Sequence, residues 1–161
     1  MINSTDFKPV IRKCTQEDLD KIMKLQEHIC QTMEDTRLFV STSREENRDY
    51  LIYPNTILGV FDGEKLIAYG SLVFPNDSPE NIGWDLDWSR EKIFHCLTLD
   101  TIVVDPDYRG HGLQRTLIRS CVAYALELMP DATVLTTVSP FNKYSLHNVQ
   151  AEGFQILKRK E

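Results

Sequence analysis

The chain has 161 residues, 42% of them hydrophobic, which suits one compact domain over residues 1–161 with a sizeable core. Its 24 acidic and 18 basic side chains leave a net charge of −6, which argues against nucleic acid as a partner: a duplex-binding face needs clustered Lys and Arg, and only residues 158–160 cluster. No basic-then-apolar leader opens the sequence and no apolar run reaches spanning length, so neither a signal peptide nor a membrane segment is expected, and a cytoplasmic location is.

The first predicted element is a short strand at residues 10–12. Thr15 with Asp18 three residues on forms a capping-box-like start, after which Leu19, Ile22, Leu25, Ile29 and Met33 fall on one helical face. A polar-aromatic loop, EDTRLFVST, follows. Ser43 with Glu46 opens a second helix over REENRDYLIY, which Pro54 closes. TILGVF and KLIAYGSLVF read as two strands of a hairpin turning at Asp62 and Gly63.

PNDSPENIGWDLDWSRE is rich in turn formers and reads as a loop carrying both tryptophans, and HCLTLDTIVV is a long strand. The next helix repeats Leu113, Leu117, Cys121 and Ala125 in steps of four, with Ile118 and Leu128 widening the stripe and Pro130 just beyond. ATVLTTV is a strand, NKYSLHNVQAE a short helix ending at Gly153, and FQILKRK a last strand. The order β-α-α-β-β-β-α-β-α-β predicts a mixed α/β fold, a twisted sheet of about six strands with helices on both faces.

The cysteines Cys14, Cys30, Cys96 and Cys121 lack the paired spacing of zinc ligands or of a disulfide frame. Reduced, buried thiols are expected. His28-x-Cys30 and the His95–Cys96 pair have no second ligand pair in the sequence, so no metal is expected.

The chemistry concentrates where a strand meets a helix, in VVDPDYRGHGLQRTLI. A helix begins with amides that lack intrahelical partners and with the positive end of its dipole. Gly110 and Gly112 remove Cβ atoms there, so an anion can approach the amides closely, and Arg109 and Arg115 add positive charge. A cation in a first helical turn opposes the dipole, and a pyrophosphate is the anion expected to offset it. The Walker A pattern fails because no Gly-Lys-Ser/Thr end is present. The dinucleotide fingerprint fails because Arg115 stands at the third glycine position and no acidic residue closes the next strand.

The remaining template is R-x-x-G-x-G/A, and on it the segment resembles the acyl-CoA-binding motif of the GNAT acetyltransferase superfamily. The resemblance extends to VIRKCTQEDLDKIMKL, similar to that family's opening strand and helix, and to SPFNKYSLHNVQAEGF, similar to its later helix, with Asn142, Gly153 and Phe154 in register. The resemblance implies acetyl-CoA or another acyl-CoA as cofactor. Its pyrophosphate would rest on the amides of Arg109, Gly110, His111, Gly112, Leu113, Gln114 and Arg115. Its pantetheine arm would lie along the strand at Ile102, Val103 and Val104, and Asn142 matches a cofactor-contacting position.

Acyl transfer from a thioester to an amine needs a base, an oxyanion donor and a leaving thiolate. Asp100 matches a strand position where some members of the family carry an acidic residue acting through water. Among Leu99, Ile102 and Val103 its pKa should be raised by burial; the alternative is that Asp100 holds a structural hydrogen bond or lies exposed at a strand bulge. The amides of Ile102 or Val104 suit the oxyanion. Three features depart from the family. Gln114 occupies the last small position of the glycine motif, so its side chain should point away from the phosphates. The position of the family's acid tyrosine is Val149, which leaves Ser145, one turn earlier on the same face, as donor to the thiolate or as a packing residue. The sequence stops after FQILKRKE, where the family has a further strand, and a second subunit is one way to complete that edge.

The acceptor is expected to be a small-molecule or peptide amine. One wall would be the first inter-helix loop, with Glu34, Asp35, Arg37 and Phe39; the stretch over residues 82–89, with Trp84, Asp85, Asp87 and Trp88, is a second candidate, its alternative being a solvated loop that Trp84 and Trp88 anchor. The rival readings are an acyl-CoA-binding regulatory module with little turnover, prompted by Val149, and an interaction domain with no CoA site. Loss of transfer in Asp100→Asn distinguishes the first reading from the module. Ligand binding indifferent to Arg109 and Gly112 would favour the interaction domain.

Overall fold

A computed structural model describes residues 7–35 and 38–160. The strands are β1 (Val10–Lys13), β2 (Thr56–Asp62), β3 (Lys65–Val73), β4 (Cys96–Val104) and β5 (Thr133–Leu135). The helices are α1 (Leu19–Thr32), α2 (Arg44–Tyr50), α3 (Arg90–Phe94), α4 (Leu113–Leu128) and α5 (Lys143–Ala151). The five strands form one sheet in the order β1-β2-β3-β4-β5, antiparallel except for the parallel β4–β5 pair.

Alternation along the strands divides the core between two faces. On one face, Ile57, Phe61, Leu66, Tyr69 and Val103 pack against Ile22, Leu25 and Ile29 of α1. On the other, Leu58, Val60, Ile67 and Leu99 meet Leu113, Leu117, Ile118 and Cys121 of α4, with Val149 of α5. Close approach of α4 depends on Gly70, where an added Cβ would lie 2.9 Å from the Cys121 sulfur. The helices therefore flank the sheet as expected.

Several expectations are corrected. There are five strands among the described residues, not six. FQILKRK joins no ladder, because β5 leaves the sheet early and the tail lysines are held elsewhere: Lys158 donates to the Asp85 carbonyl at 2.8 Å and Lys160 to its carboxylate at 2.9 Å. The turn residues of the hairpin are Gly63 and Glu64, since Asp62 still pairs with Lys65. The tryptophan segment contains a 3-10 turn at Ile82–Leu86 and then α3, each started by a polar side chain: Asn81 accepts from the Gly83 amide and Ser89 from the Lys92 amide. Leu128, counted in the α4 stripe, is exposed. The described cysteines are free as expected, but Cys30 is exposed, not buried. Among the described residues no helix is long and apolar enough to cross a membrane.

Candidate active site

β4 and β5 pair only from Cys96↔Thr133 to Thr98↔Leu135. One more bond, from the Thr136 hydroxyl to the Leu99 carbonyl at 2.8 Å, follows before the chains part. The parting opens a cleft of about 230 Å³, lined by Asp100 and Ile102 from β4, Gln114 from α4, Asn142 and Ser145 at the start of α5, and Phe39 from the inter-helix loop.

Strand geometry decides which peptide groups face this cleft. The Asp105 amide bonds the Ile67 carbonyl at 2.8 Å, so on an antiparallel ladder the peptide groups of Val103 and Thr101 also turn to β3. Those of Ile102 and Val104 face the side that β5 has vacated. Val103, expected among the cofactor contacts, is thus committed to β3 through its backbone and to the α1 face through its side chain.

Asp100 sits at a bulge. Ser71 pairs with Thr101 and Leu72 with Leu99, so Asp100 has no opposite residue, and a bulge re-aims the side chain it releases. Asp100 is an exposed residue in the cleft wall, not the buried one expected among Leu99, Ile102 and Val103, although protein atoms still crowd its carboxylate. Burial raises its pKa, Glu46 and Glu80 add like-charge repulsion in the same direction, and hydrogen bonds from the Thr101 hydroxyl (3.0 Å) and from Tyr50 oppose them. The Tyr50 phenol is pushed up to about 12, first by its own burial and then by Asp100.

Sequence reasoning missed Glu46, Tyr50 and Glu80 as neighbours of Asp100. Glu46 carries a local signal for a different job, helix capping, and nothing in the spacing of the other two points to β4.

The glycine corner lies where the motif puts it. Gly110 has φ +89° and Gly112 φ +69°, a region that favours glycine. Gly112 is the N-cap of α4 and has no side chain with which to cap it. The first backbone bond of the helix is Thr116 to Gly112, which leaves the amides of Leu113, Gln114 and Arg115 as the open donors. The Leu113 side chain is buried in the core, so only its amide is presented. Arg109 is exposed and has no ion pair among the described residues. The His111 ring packs on Phe7, with centroids 4.5 Å apart.

Arg115 departs from expectation. Its guanidinium pairs with Glu152 at 2.7 Å, and Arg119 joins the same carboxylate at 2.9 Å. The anion that offsets this cation is therefore on the chain itself, and Arg115 can offer a ligand its amide but not an unpaired charge. Both arginines hold the Glu152 carboxyl below its usual pKa.

Gln114 turns away from the corner and toward α5. Its Nε2 donates to the Ser145 hydroxyl oxygen at 3.0 Å and its Oε1 accepts from Asn148 at 2.6 Å. Ser145 thus accepts and keeps its own proton to give. Asn142 caps α5 by accepting the Ser145 amide at 3.0 Å. Val149 also lines the cleft and brings no acid to it.

On the acceptor side the expected walls divide. Leu38, Phe39 and Val40 line the cleft, whereas Arg37 lies outside the described residues. Trp84, Asp85, Asp87 and Trp88 do not line it: the Trp84 indole bonds the Ser78 carbonyl at 2.9 Å, Lys92 sits over the Trp88 ring, and Asp85 holds the tail lysines. What the loop just before that segment brings near Asp100 is Glu80.

Comparisons with known proteins agree with this geometry. An aminoglycoside N-acetyltransferase, AAC(6')-Iy, solved in complex with CoA, superposes with a TM-score of 0.70 at 16% identity, covering 99% of this chain and 96% of that one. An acetyltransferase of the GNAT family from Streptococcus pneumoniae gives 0.69 at 18% identity, covering 92% and 85%. An aminoglycoside acetyltransferase from an uncultured soil metagenomic sample, in complex with sisomicin, gives 0.64 at 14% identity, covering 99% and 98%. At these identities the likeness is one of fold. No curated protein sequence matches. The sequence model of the Acetyltransferase (GNAT) family matches residues 19–154, most of the chain, and with the splayed strands and glycine-capped helix beneath that match, the chain belongs to this family.

Proposed function

We propose that the protein transfers an acetyl group from acetyl-CoA to a primary amine of a small molecule, by direct attack within a ternary complex. The observation that carries this reading is the pairing of an open, glycine-lined helix start with a cleft whose strand wall holds a carboxylate released at a bulge. The amides at the start of α4 and the Arg109 guanidinium would hold the diphosphate. The outward peptide groups of Ile102 and Val104 would hold the pantetheine arm and the developing oxyanion, and Asn142 would contact the coenzyme through its NH2. No cysteine lines the cleft to carry the acyl group, which supports direct attack.

Asp100 would take a proton from the ammonium, through water. The free amine attacks the thioester carbonyl and the C–N bond forms; the C–S bond then breaks, the nitrogen gives up its second proton to water, and the leaving thiolate gains a proton from solvent, directly or through the Ser145 hydroxyl, which solvent reprotonates. Glu46 and Glu80 lie close enough to Asp100 to raise its pKa, and this concentration of negative charge favours an amine with more than one positive charge. The aminoglycoside named for one structural neighbour is of that chemical kind.

The test is an acceptor screen with acetyl-CoA, reading released thiol across polyamines, aminoglycosides, amino acids and peptide N-termini. Asp100→Asn should lower kcat/KM by about 10²–10⁴-fold while CoA binding is kept. Because burial raises the Asp100 pKa and a base acts only when ionised, the acidic limb of the rate profile should lie above the ordinary carboxylate range and vanish in the Asn variant. Tight CoA binding with no turnover on any amine would instead select the regulatory module.

A further inference from the structure

Outside the cleft, the fold joins three metal-ligating side chains that are far apart in sequence. His28 projects from α1, and Asp105 and Asp107 belong to the turn between β4 and the glycine corner. We propose that these three residues bind a divalent transition-metal ion, zinc in the first instance, and clasp α1 to the turn that leads into the corner.

Two of the three donor separations are close to what such an ion needs, and the exposed Asp107 side chain is free to close the third. His28 Nε2 lies 3.4 Å from Asp105 Oδ1 and 3.7 Å from Asp107 Oδ2, and one donor atom from each residue falls within 4.8 Å of the others. Zinc bonds of about 2.0–2.2 Å to nitrogen and oxygen set neighbouring tetrahedral donors roughly 3.3–3.5 Å apart. One imidazole and two carboxylates form a donor set that zinc accepts, with a fourth position for water.

A plain imidazolium–carboxylate pair explains the arrangement less well. The His28 side chain is 38% exposed, but the Nε2 edge of its ring is turned inward, buried, and makes no hydrogen bond despite two carboxylates beside it. A ring that served only as an ion-pair donor would be expected to close to hydrogen-bond geometry with one of them. Asp105, 97% buried as a side chain, is held for the role from behind: its Oδ1 accepts the Asp107 amide at 2.9 Å and its Oδ2 lies 3.7 Å from the Lys65 ammonium. Such supports fix a ligating carboxylate in place. The Lys65 charge opposes a second cation, so the affinity should be moderate.

This site is separate from the proposed chemistry, since none of the three residues lines the cleft. It also accounts for His28 differently from the His28-x-Cys30 pairing that the sequence displays. Two positions apart on a helix point to different faces, and the partners of His28 come from the β4 end.

The experiment uses the whole chain, stripped with a chelator and then titrated with Zn²⁺, and with Co²⁺ as a coloured stand-in. One equivalent should bind saturably, raise Tm, and with Co²⁺ give the visible absorption of a low-coordinate site. Asp107→Ala removes an exposed carboxylate and should leave the fold intact. It should weaken binding by more than the ~10–100-fold typical of losing an outer supporting residue. His28→Ala should do the same, and Cys30→Ser should change nothing. Absence of saturable binding, binding indifferent to Asp107→Ala, or binding lost in Cys30→Ser would overturn the proposal.

Discussion

Two helix starts in this molecule solve the same problem in opposite ways. At α2, Ser43 turns its hydroxyl inward to accept the Glu46 amide at 3.1 Å, and Glu45 and Glu46 set negative charge in the first turn. At α4, Gly112 has no side chain to turn inward, and the first turn has no acidic residue. The first start satisfies its amides from within and favours stability. The second leaves them open, where an N-cap side chain is ordinarily worth about 0.5–2 kcal/mol. A helix end that forgoes this stabilisation beside a cleft is what the proposed reading needs, in which a diphosphate completes the amides.

Closing the open start should have the largest effect. Gly112→Asp places a carboxylate at the N-cap, where it both competes for the amides and repels a diphosphate, so CoA should bind roughly 100-fold more weakly in calorimetric titration. Gly112→Ala tests geometry without charge. Nothing lies within 4 Å of the added Cβ, but φ +69° is strained for alanine, and denaturant unfolding should show a loss of about 1–2 kcal/mol. Arg109→Met removes a cation from the corner and should weaken CoA binding about tenfold at low salt, with the difference shrinking as ionic strength rises.

The smallest effect comes from the other start. Ser43→Ala should cost about 1 kcal/mol of stability and leave CoA affinity unchanged. If Ser43→Ala weakened CoA as much as Gly112→Asp, the contrast between the two helix starts would fail.

Local features were legible before folding. The α1 stripe, the Ser43 cap and the glycine corner each depend on residues within a turn or two of one another, so periodicity and φ preference suffice to find them. The errors have a common origin. FQILKRK has strand composition, but a strand exists only with a partner, and β5 turns aside to open the cleft. Arg115 looked like a free cation because Glu152, its partner, comes from the far end of α5. The two tryptophans, open to reading as a substrate wall or as anchors of their own loop, are anchors.

By itself, the sequence determined where a helix would begin without a cap and which strand would feed it, because glycine's freedom and the apolar repeat are properties of neighbouring residues. Only the tertiary structure decided what stands beside Asp100 and beside His28. Sheet order and a single bulge bring Glu46, Tyr50 and Glu80 toward the one, and the end of β4 carries Asp105 and Asp107 to the other. Charges act through space, and that space is set by packing that no stretch of sequence contains.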